Sequence, residues 1–231
     1  MRALCVIPAR GGSKRIPRKN IREFCGKPII AWSIEAAKRA ECFERIIVST
    51  DDEEIASVSR DWGAEVPFVR PAHLSDDMTG TTPVVAHSIE MMERQDGPYE
   101  AACCIYATAP FVREKDLAAG KKRIEDGWLF ALLVTELPAP IFRCLRLLPN
   151  GGVAMFFPEH FASRSQDLET AYHDAGQFYW GTTAAWKAGE PLFGPHSAAI
   201  RIPRRIAQDI DTEEDWVIAE QLFRLQGEQI E

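Results

Sequence analysis

Positive charge is concentrated in a short segment near the beginning of the chain. Five lysines and arginines fall within ten residues and surround the pair Gly11-Gly12. Side chains this close repel one another unless an anion lies between them, and glycine leaves backbone N–H groups open to such an anion. We therefore predict a loop that binds a triphosphate, in preference to a solvated basic turn. The cations are Arg10, Lys14, Arg15, Arg18 and Lys19.

The loop differs from two common phosphate-binding motifs. A Walker A loop requires four residues between its first glycine and a Gly-Lys-Ser/Thr, and this spacing is absent around Gly11. The dinucleotide fingerprint requires a third glycine at the opening of a helix, which is also missing. The predicted nucleotide contacts in the loop are Ala9, Arg10, Gly11, Gly12, Ser13, Lys14, Lys19 and Asn20.

A pair of carboxylates near the end of the chain is the second feature that could do chemistry. Asp209 and Asp211 are separated by one residue, so in an extended segment both side chains lie on the same side. Two such carboxylates can hold one Mg²⁺ together with substrate phosphates. The alternative is helix capping, either by Asp211 with Glu214 or by Thr212 with Asp215. Joined to a triphosphate loop, the pair favours metal binding.

An apolar strand leads directly into the basic loop. The run from Ala3 to Ile7 has the length and composition of a parallel strand buried on both faces. This places the loop at the carboxyl end of a strand, where open α/β sheets bind ligands. Further helices and strands alternate along the chain, which predicts an α/β, Rossmann-like fold with a mostly parallel sheet. Predicted helix starts are Pro28, the capping box Asp51 to Glu54, the N-cap Thr82, Glu114 and Thr212, and further strands are predicted at 46–48, 101–107 and 128–134.

The alternation of helices and strands is interrupted between residues 138 and 175. Prolines, the pair Gly151-Gly152 and short apolar runs replace it. We predict a single domain over residues 1–231 in which 138–175 form an inserted arm, suited to dimerisation.

Composition limits the classes of protein to which the chain can belong. A formal charge of −7 and a pI near 5.4 argue against a general nucleic-acid binder. The six cysteines show no CxxC pair and no zinc-type spacing, so we expect free thiols in a reducing compartment. With no signal peptide and no apolar run of about 18 residues, we expect a cytoplasmic protein that does not interact with membranes.

The longest motifs resemble those of a known family. The segment 103–110, Cys-Cys-Ile-Tyr-Ala-Thr-Ala-Pro, the segment 164–168, Arg-Ser-Gln-Asp-Leu, and the segment 172–181, Tyr-His-Asp-Ala-Gly-Gln-Phe-Tyr-Trp-Gly, are specific matches. Together with the basic loop, Arg70-Pro71-Ala72-His73-Leu74 and the aspartate pair, they make the chain similar to the cytidylyltransferases that activate nonulosonic acids as CMP-sugars. Within that family it most resembles the branch that activates pseudaminic acid, and the resemblance spans nearly the whole chain.

The resemblance implies a nucleotidyltransferase fold, a homodimer, and a reaction in which the anomeric hydroxyl of a nine-carbon acidic sugar attacks the α-phosphorus of CTP. It implies phosphate-loop roles for Arg10, Lys14, Lys19 and Asn20, and cytidine contacts for Arg70 and Thr81. It also implies that Asp209 and Asp211 hold one or two Mg²⁺ ions. The residues we predict to be catalytic are Arg10, Lys14, Lys19 and Asp211.

The family pattern changes around the sugar. Sialic acid enzymes carry Gln-Pro-Thr-Ser-Pro where this chain has Tyr106-Ala107-Thr108-Ala109-Pro110, and an Asn-Gly pair is replaced at 174–177 by Asp-Ala-Gly-Gln. Both changes favour a different nine-carbon acid. For the sugar carboxylate we expect Arg164, with Arg143 as second candidate. The predicted sugar contacts are Tyr106, Arg164, Gln166, His173, Gln177 and Tyr179.

Three other functions fit parts of the same pattern. The nearest is the same reaction on legionaminic, neuraminic or ketodeoxyoctonic acid. The second is a metal-dependent glycosyltransferase, since Asp-x-Asp also binds metal there, although the basic glycine loop argues against it. The third is a nucleotide sensor without catalysis, which would not need both aspartates.

Overall fold

The computed structural model describes residues 1–227. Its strands, numbered in chain order, are β1 (Ala3–Pro8), β2 (Glu23–Phe24), β3 (Lys27–Pro28), β4 (Arg45–Ser49), β5 (Ala101–Ile105), β6 (Phe130–Glu136), β7 (Leu145–Leu147), β8 (Val153–Met155), β9 (Tyr172–Thr182) and β10 (Ser197–Arg201). Its α-helices are α1 (Ile29–Arg39), α2 (Glu53–Asp61), α3 (Thr81–Asp96), α4 (Glu114–Glu125), α5 (Thr183–Ala188) and α6 (Glu213–Gly227). Short 3₁₀ turns lie at Lys19–Ile21, Ala72–Leu74, Ile141–Arg143, Pro158–His160, Ser165–Asp167 and Arg204–Ile206.

Six strands form one central sheet in the order β10-β6-β9-β5-β1-β4. β1 runs parallel to both β4 and β5, and β10 runs parallel to β6. Only β9 among these six is antiparallel to its neighbours, β5 and β6. The predicted α/β fold with a mostly parallel sheet is therefore confirmed.

Helices cover both faces of the sheet because the central strands are apolar on both sides. In β1, Cys5 and Ile7 belong to the core cluster that includes α1, whereas Leu4 and Val6 belong to the cluster on the other face. Helix α3 contributes Val85, Ile89 and Met92 to this second cluster. All four of these β1 side chains are fully buried.

Two predicted helix starts differ from those in the structure. Asp52, not Asp51, caps α2, where its carboxylate accepts from the Ile55 N–H at 2.9 Å. Asp51 instead accepts from the N–H of Gly11. The prediction that Thr82 is the N-cap of α3 is wrong, because Gly80 occupies that position and the helix begins at Thr81.

The predicted arm lies outside the central sheet over residues 138–171. It contains the antiparallel hairpin β7–β8 and three 3₁₀ turns. β9 begins at Tyr172, where Tyr172 pairs with Glu136, so the last four residues of the predicted insert belong to the sheet. Exposed apolar side chains concentrate on this arm and include Leu145, Leu147, Val153, Phe156 and Phe161.

The six cysteines are all within the described residues and none forms a disulfide. Burial raises the pKa of the Cys5 and Cys103 thiols, as expected for structural thiols. Residues 1–227 contain no helix whose length and apolar character would let it cross a bilayer.

Candidate active site

An open pocket of about 420 Å³ lies at the carboxyl ends of β1 and β5. This is the edge at which open α/β sheets bind ligands. The basic loop, the segment before α3 and the turn after β5 contribute its walls. Nine of the predicted site residues line it, namely Arg10, Ser13, Lys14, Lys19, Asn20, Arg70, Thr81, Tyr106 and Asp211.

Hydrogen bonds between side chains and the backbone hold the loop in place at its beginning and end. The side-chain amide of Asn20 donates to the carbonyl of Arg10 at 2.9 Å, and the backbone N–H of Gly11 donates to Asp51 Oδ1 at 3.0 Å. In this conformation the N–H of Gly11 therefore donates to a carboxylate of the chain and is not open to a phosphate. Ala9 is a buried anchor rather than a pocket residue, since its N–H donates to the Ser49 carbonyl at 2.9 Å.

Glycine at position 11 is required by close packing and not by an unusual backbone conformation. Gly11 and Gly12 are not among the glycines with positive φ. A Cβ at Gly11 would lie 2.7 Å from Asp52 Oδ2, whereas a Cβ at Gly12 would meet no atom within 4 Å. Close approach to the beginning of α2 is what requires glycine at position 11.

Each of the five loop cations has a carboxylate partner within the chain. Asp77 pairs with Arg10 and Lys14, and Asp211 pairs with Arg15 through two contacts of 2.9 Å and with Lys19 at 3.4 Å. Arg18 points away from the pocket and pairs with Asp52 and Glu54. The argument that these cations require an external anion is therefore wrong. The prediction that Arg18 faces phosphate is also wrong, because its partners lie at the beginning of α2.

Arg70 differs from the loop cations because it is buried and lacks a carboxylate partner. Only 5% of its surface is exposed, and none of the ion pairs among residues 1–227 includes it. Its Nε donates to Ser49 Oγ at 3.1 Å and its Nη2 donates to the Ser49 carbonyl. Burial lowers the pKa of Arg70 to about 10, so the guanidinium remains charged at neutral pH. Arg70 also lines the pocket. An anionic ligand would supply the missing charge.

Asp211 is not the cap of the last helix. Thr212 and Asp215 form the capping box of α6, with Thr212 N donating to Asp215 Oδ2 at 2.8 Å and Asp215 N donating to Thr212 Oγ1 at 3.2 Å. The Asp211 carboxylate therefore faces the pocket and the loop cations. Of the two capping alternatives, the one built on Thr212 is confirmed.

Asp209 lies beside β9. A Cβ at Gly176 would be 3.6 Å from its Cγ, and desolvation, followed by the negative charge of Asp211, raises the pKa of Asp209. Two neighbouring carboxylates with hard oxygen donors fit a Mg²⁺ ion that is completed by substrate phosphates. No group of three or more His, Cys, Asp or Glu side chains that could hold a metal is present in the described part of the chain.

Tyrosines connect the pocket to β9. The Tyr106 and Thr81 hydroxyls are hydrogen-bonded at 2.9 Å, which ties the first residue of α3 to the residue that follows β5. The rings of Tyr106 and Tyr179 meet edge to face at 5.4 Å, and the Tyr179 hydroxyl donates to Asp174. Burial raises the pKa of both phenols. The structure thus brings Tyr106 and Tyr179 together, with Tyr106 facing the pocket.

The other predicted sugar contacts do not reach this pocket. Gln177 is 1% exposed and donates to the Ile206 carbonyl, so its role as a sugar contact is wrong and it instead anchors the segment before Asp209. His173 is exposed, with Nδ1 near the Asp174 carbonyl. Arg164 and Gln166 lie exposed on the arm, and neither lines the pocket.

Asp77 and Asp174 are the contacts that sequence reasoning missed. Asp77 lines the pocket and binds two loop cations. The sequence carries one signal for this contact: a pair of acidic residues, 76–77, lies between the two predicted cytidine contacts. Asp174 belongs to a motif that the resemblance did identify. Its hydrogen bond with Tyr179 depends on the folded structure and could not be predicted from the motif.

Comparison with known proteins identifies the family. The family model described as cytidylyltransferase matches residues 4–128, which include the basic loop and the strand before Tyr106. The chain belongs to the cytidylyltransferase family. This cytidylyltransferase is 47% identical over 229 residues to a pseudaminic acid cytidylyltransferase of Campylobacter jejuni, and the match covers 99% of each chain. It is 30% identical to a CMP-N,N'-diacetyllegionaminic acid synthase of Legionella pneumophila, again over 99% of each chain.

Solved structures share the fold of this cytidylyltransferase. A CMP:2-keto-3-deoxy-manno-octonic acid synthetase complexed with CTP superimposes with a TM-score of 0.71 at 16% identity, over 98% of this chain and all of the other. A 4-diphosphocytidyl-2C-methyl-D-erythritol synthase from Anaerococcus prevotii gives 0.66 at 11% identity, over 96% of each chain. The predicted nucleotidyltransferase fold is confirmed, and the chain is a nucleotidyltransferase.

Proposed function

We propose that this enzyme transfers CMP from CTP to the anomeric hydroxyl of pseudaminic acid, releasing pyrophosphate, with Mg²⁺ as cofactor. The observation that carries the proposal is the pocket in which the unpaired guanidinium of Arg70 faces the basic loop and Asp211. The 47% identity to a pseudaminic acid cytidylyltransferase supports the choice of sugar.

The pocket residues supply charge and orientation for this transfer. A bond forms between the anomeric oxygen and the α-phosphorus of CTP, the bond from that phosphorus to the β-phosphate's bridging oxygen breaks, and the hydroxyl proton passes to solvent. Arg10, Lys14 and Lys19 neutralise the departing pyrophosphate, and Arg70 holds the nucleotide. Catalysis of this kind depends on positioning and electrostatics. Asp209 and Asp211 would hold the Mg²⁺, which when bound withdraws charge from the phosphoryl oxygens and acidifies the hydroxyl.

The sugar is expected to contact the pocket near Tyr106. The Tyr106 ring packs edge to face on Tyr179, whose hydroxyl donates to Asp174, so the sugar would meet a phenol that is backed by a second aromatic ring. N,N'-diacetyllegionaminic acid is the second candidate, because the Legionella pneumophila synthase also matches along the whole chain.

A substrate panel tests this function. Purified enzyme with CTP and Mg²⁺ is offered pseudaminic, N,N'-diacetyllegionaminic, N-acetylneuraminic and ketodeoxyoctonic acids, and pyrophosphate release is measured. We expect the largest kcat/KM for pseudaminic acid. A larger value for another acid would change the assigned sugar, and no release with any acid would contradict the reaction.

We further propose that the enzyme is a cytoplasmic homodimer assembled through the arm. The exposed apolar side chains of β7 and β8 have the character of an unpartnered interface. Arg164 and Gln166 lie on the same arm and do not line the pocket of their own chain, so a second copy is the partner that would give them a role in sugar binding. The free cysteines suit a reducing compartment.

Replacing an exposed leucine of the arm is expected to separate the dimer. Leu147, 84% exposed on β7, is changed to aspartate, because a charge in an apolar interface strongly opposes association. Light scattering after size exclusion should give the mass of one chain for Leu147→Asp and twice that mass for the wild type. Phe193→Asp, at an exposed apolar position outside the arm, should remain dimeric. A monomeric wild type or a dimeric Leu147→Asp would contradict the proposal.

A further inference from the structure

One carboxylate lies where the phosphates of a nucleotide would meet the loop. Asp77 Oδ1 accepts from Arg10 Nη1 at 2.6 Å, and its Oδ2 pairs with Lys14 Nζ. Asp77, Arg10 and Lys14 all line the same pocket. One of the two positive charges that would bind a phosphate is therefore already balanced by the chain itself.

The segment that carries Asp77 is a tight turn rather than an extended loop. Asp76 Oδ1 accepts from the N–H of Met78 at 2.9 Å and from the N–H and hydroxyl of Thr79 at 2.7 and 2.8 Å. The Asp76 carbonyl also accepts from Arg10 Nη1 at 2.8 Å. Asp76 thus forms the turn, and the carboxylate of Asp77 is directed at Arg10 and Lys14.

The exposure of the turn means that Asp77 can separate from the cations at small cost. Met78 at its tip is 91% exposed, and the side chains of Lys14 and Asp77 are 80% and 43% exposed. Ion pairs in such positions are weak, because water screens both charges. A phosphate group with two or more charges competes well against one carboxylate for the same donors.

We propose that Asp77 competes with the β- and γ-phosphates for Arg10 and Lys14 and thereby lowers the affinity of the site for them. This inference rests on the proposed function, in which these cations bind the pyrophosphate portion of CTP. A ligand must displace Asp77 to use both cations, so the carboxylate weakens the binding of every ligand that carries a pyrophosphate group. Arg70, which is buried and makes no ion pair with Asp77, is not subject to this competition.

The competition has a consequence for turnover. After transfer, pyrophosphate remains on the loop cations, and Asp77 can replace it there as it leaves. Loss of the Asp77 charge should therefore strengthen product inhibition by pyrophosphate. Binding of CMP, which lacks the β- and γ-phosphates, should remain as in the wild type.

Calorimetric titration of two ligands tests this role. Asp77→Asn keeps the size of the side chain and removes its charge, and Glu54→Gln removes an equal charge from a partner of Arg18 outside the pocket. Inorganic pyrophosphate and CMP are titrated separately into the wild type and both variants. We expect Asp77→Asn to bind pyrophosphate about fivefold more tightly, consistent with weak ion pairs, and CMP within twofold of wild type. Glu54→Gln should match the wild type for both ligands.

Several results of these titrations would contradict the proposed role of Asp77. Unchanged pyrophosphate affinity in Asp77→Asn, or no binding of it to either protein, would show that Asp77 does not compete. Weaker binding would show that Asp77 instead positions Arg10 for the ligand. Asp77→Glu, which keeps the charge, should bind pyrophosphate like the wild type, and an affinity as high as that of Asp77→Asn would contradict the proposal. These titrations need no turnover, so they decide the role of Asp77 even if the enzyme proved inactive on every acid of the substrate panel.

Discussion

Replacing Asp211 with asparagine is expected to lower kcat by about 100- to 1000-fold, the loss typical of removing one preorganised electrostatic contact to a transition state. Asp211 faces the pocket, and the capping of α6 is performed by Thr212 and Asp215. The substitution should therefore leave the helix and the fold intact. The measurement is steady-state turnover of CTP and pseudaminic acid at saturating substrates, together with thermal denaturation.

The neighbouring carboxylate of Glu213 provides the matched control for Asp211. Glu213 begins α6 and pairs with Arg22 on the surface, and it does not line the pocket. Glu213→Gln removes the same charge two residues away and should keep kcat within twofold. Raising the Mg²⁺ concentration should partly restore activity to Asp211→Asn, since asparagine keeps one oxygen ligand. Wild-type kcat in Asp211→Asn would contradict its assigned role.

Replacing Arg70 with methionine is expected to weaken CTP binding by about 100-fold without destabilising the protein. Loss of one buried partner from a charged contact costs roughly 2–5 kcal/mol of binding free energy. In the ligand-free protein, however, the guanidinium of Arg70 is buried without a carboxylate, which is unfavourable. The Ser49 carbonyl keeps its second donor, the N–H of Ala9. The melting temperature of Arg70→Met should therefore equal or exceed that of the wild type.

The effects of Arg70→Met on CTP affinity and on stability are measured in separate experiments. Calorimetry gives the affinity for CTP, and thermal denaturation gives the stability. Arg60→Met removes an exposed arginine that pairs with Glu53 and should change neither quantity. If Arg70→Met kept wild-type affinity for CTP, or lost stability while its affinity remained, Arg70 would be a structural residue rather than a nucleotide contact.

Local signals in the sequence were sufficient for the main elements and for the position of the pocket. The apolar run of β1, followed by cations and glycine, placed the loop at the correct sheet edge, because buried parallel strands and their carboxyl-terminal loops have a distinct composition. The predicted start of helix α4, Glu114, is the one that the structure shows. For β1 with its loop and for α4, residues that are neighbours in the sequence determine the structure.

Contacts between distant segments could not be predicted in the same way. The charge balance of the loop depends on Asp77 and Asp211, which lie 67 and 196 residues away from Arg10 and Arg15. Gln177 belongs to a motif with a chemical signature, but its burial against Ile206 depends on the path of the segment before Asp209. Side-chain type indicates what a residue can bind, whereas tertiary packing decides which partner is near.

The most direct test of the account follows an oxygen atom through the reaction. Pseudaminic acid carrying ¹⁸O at its anomeric hydroxyl is incubated with the enzyme, CTP and Mg²⁺, and the products are observed by ³¹P NMR. Attack of that hydroxyl on the α-phosphorus predicts a CMP-sugar whose phosphorus signal carries the ¹⁸O isotope shift, together with unlabelled pyrophosphate. A CMP product without the isotope shift, or CTP that remains unchanged, would contradict the account.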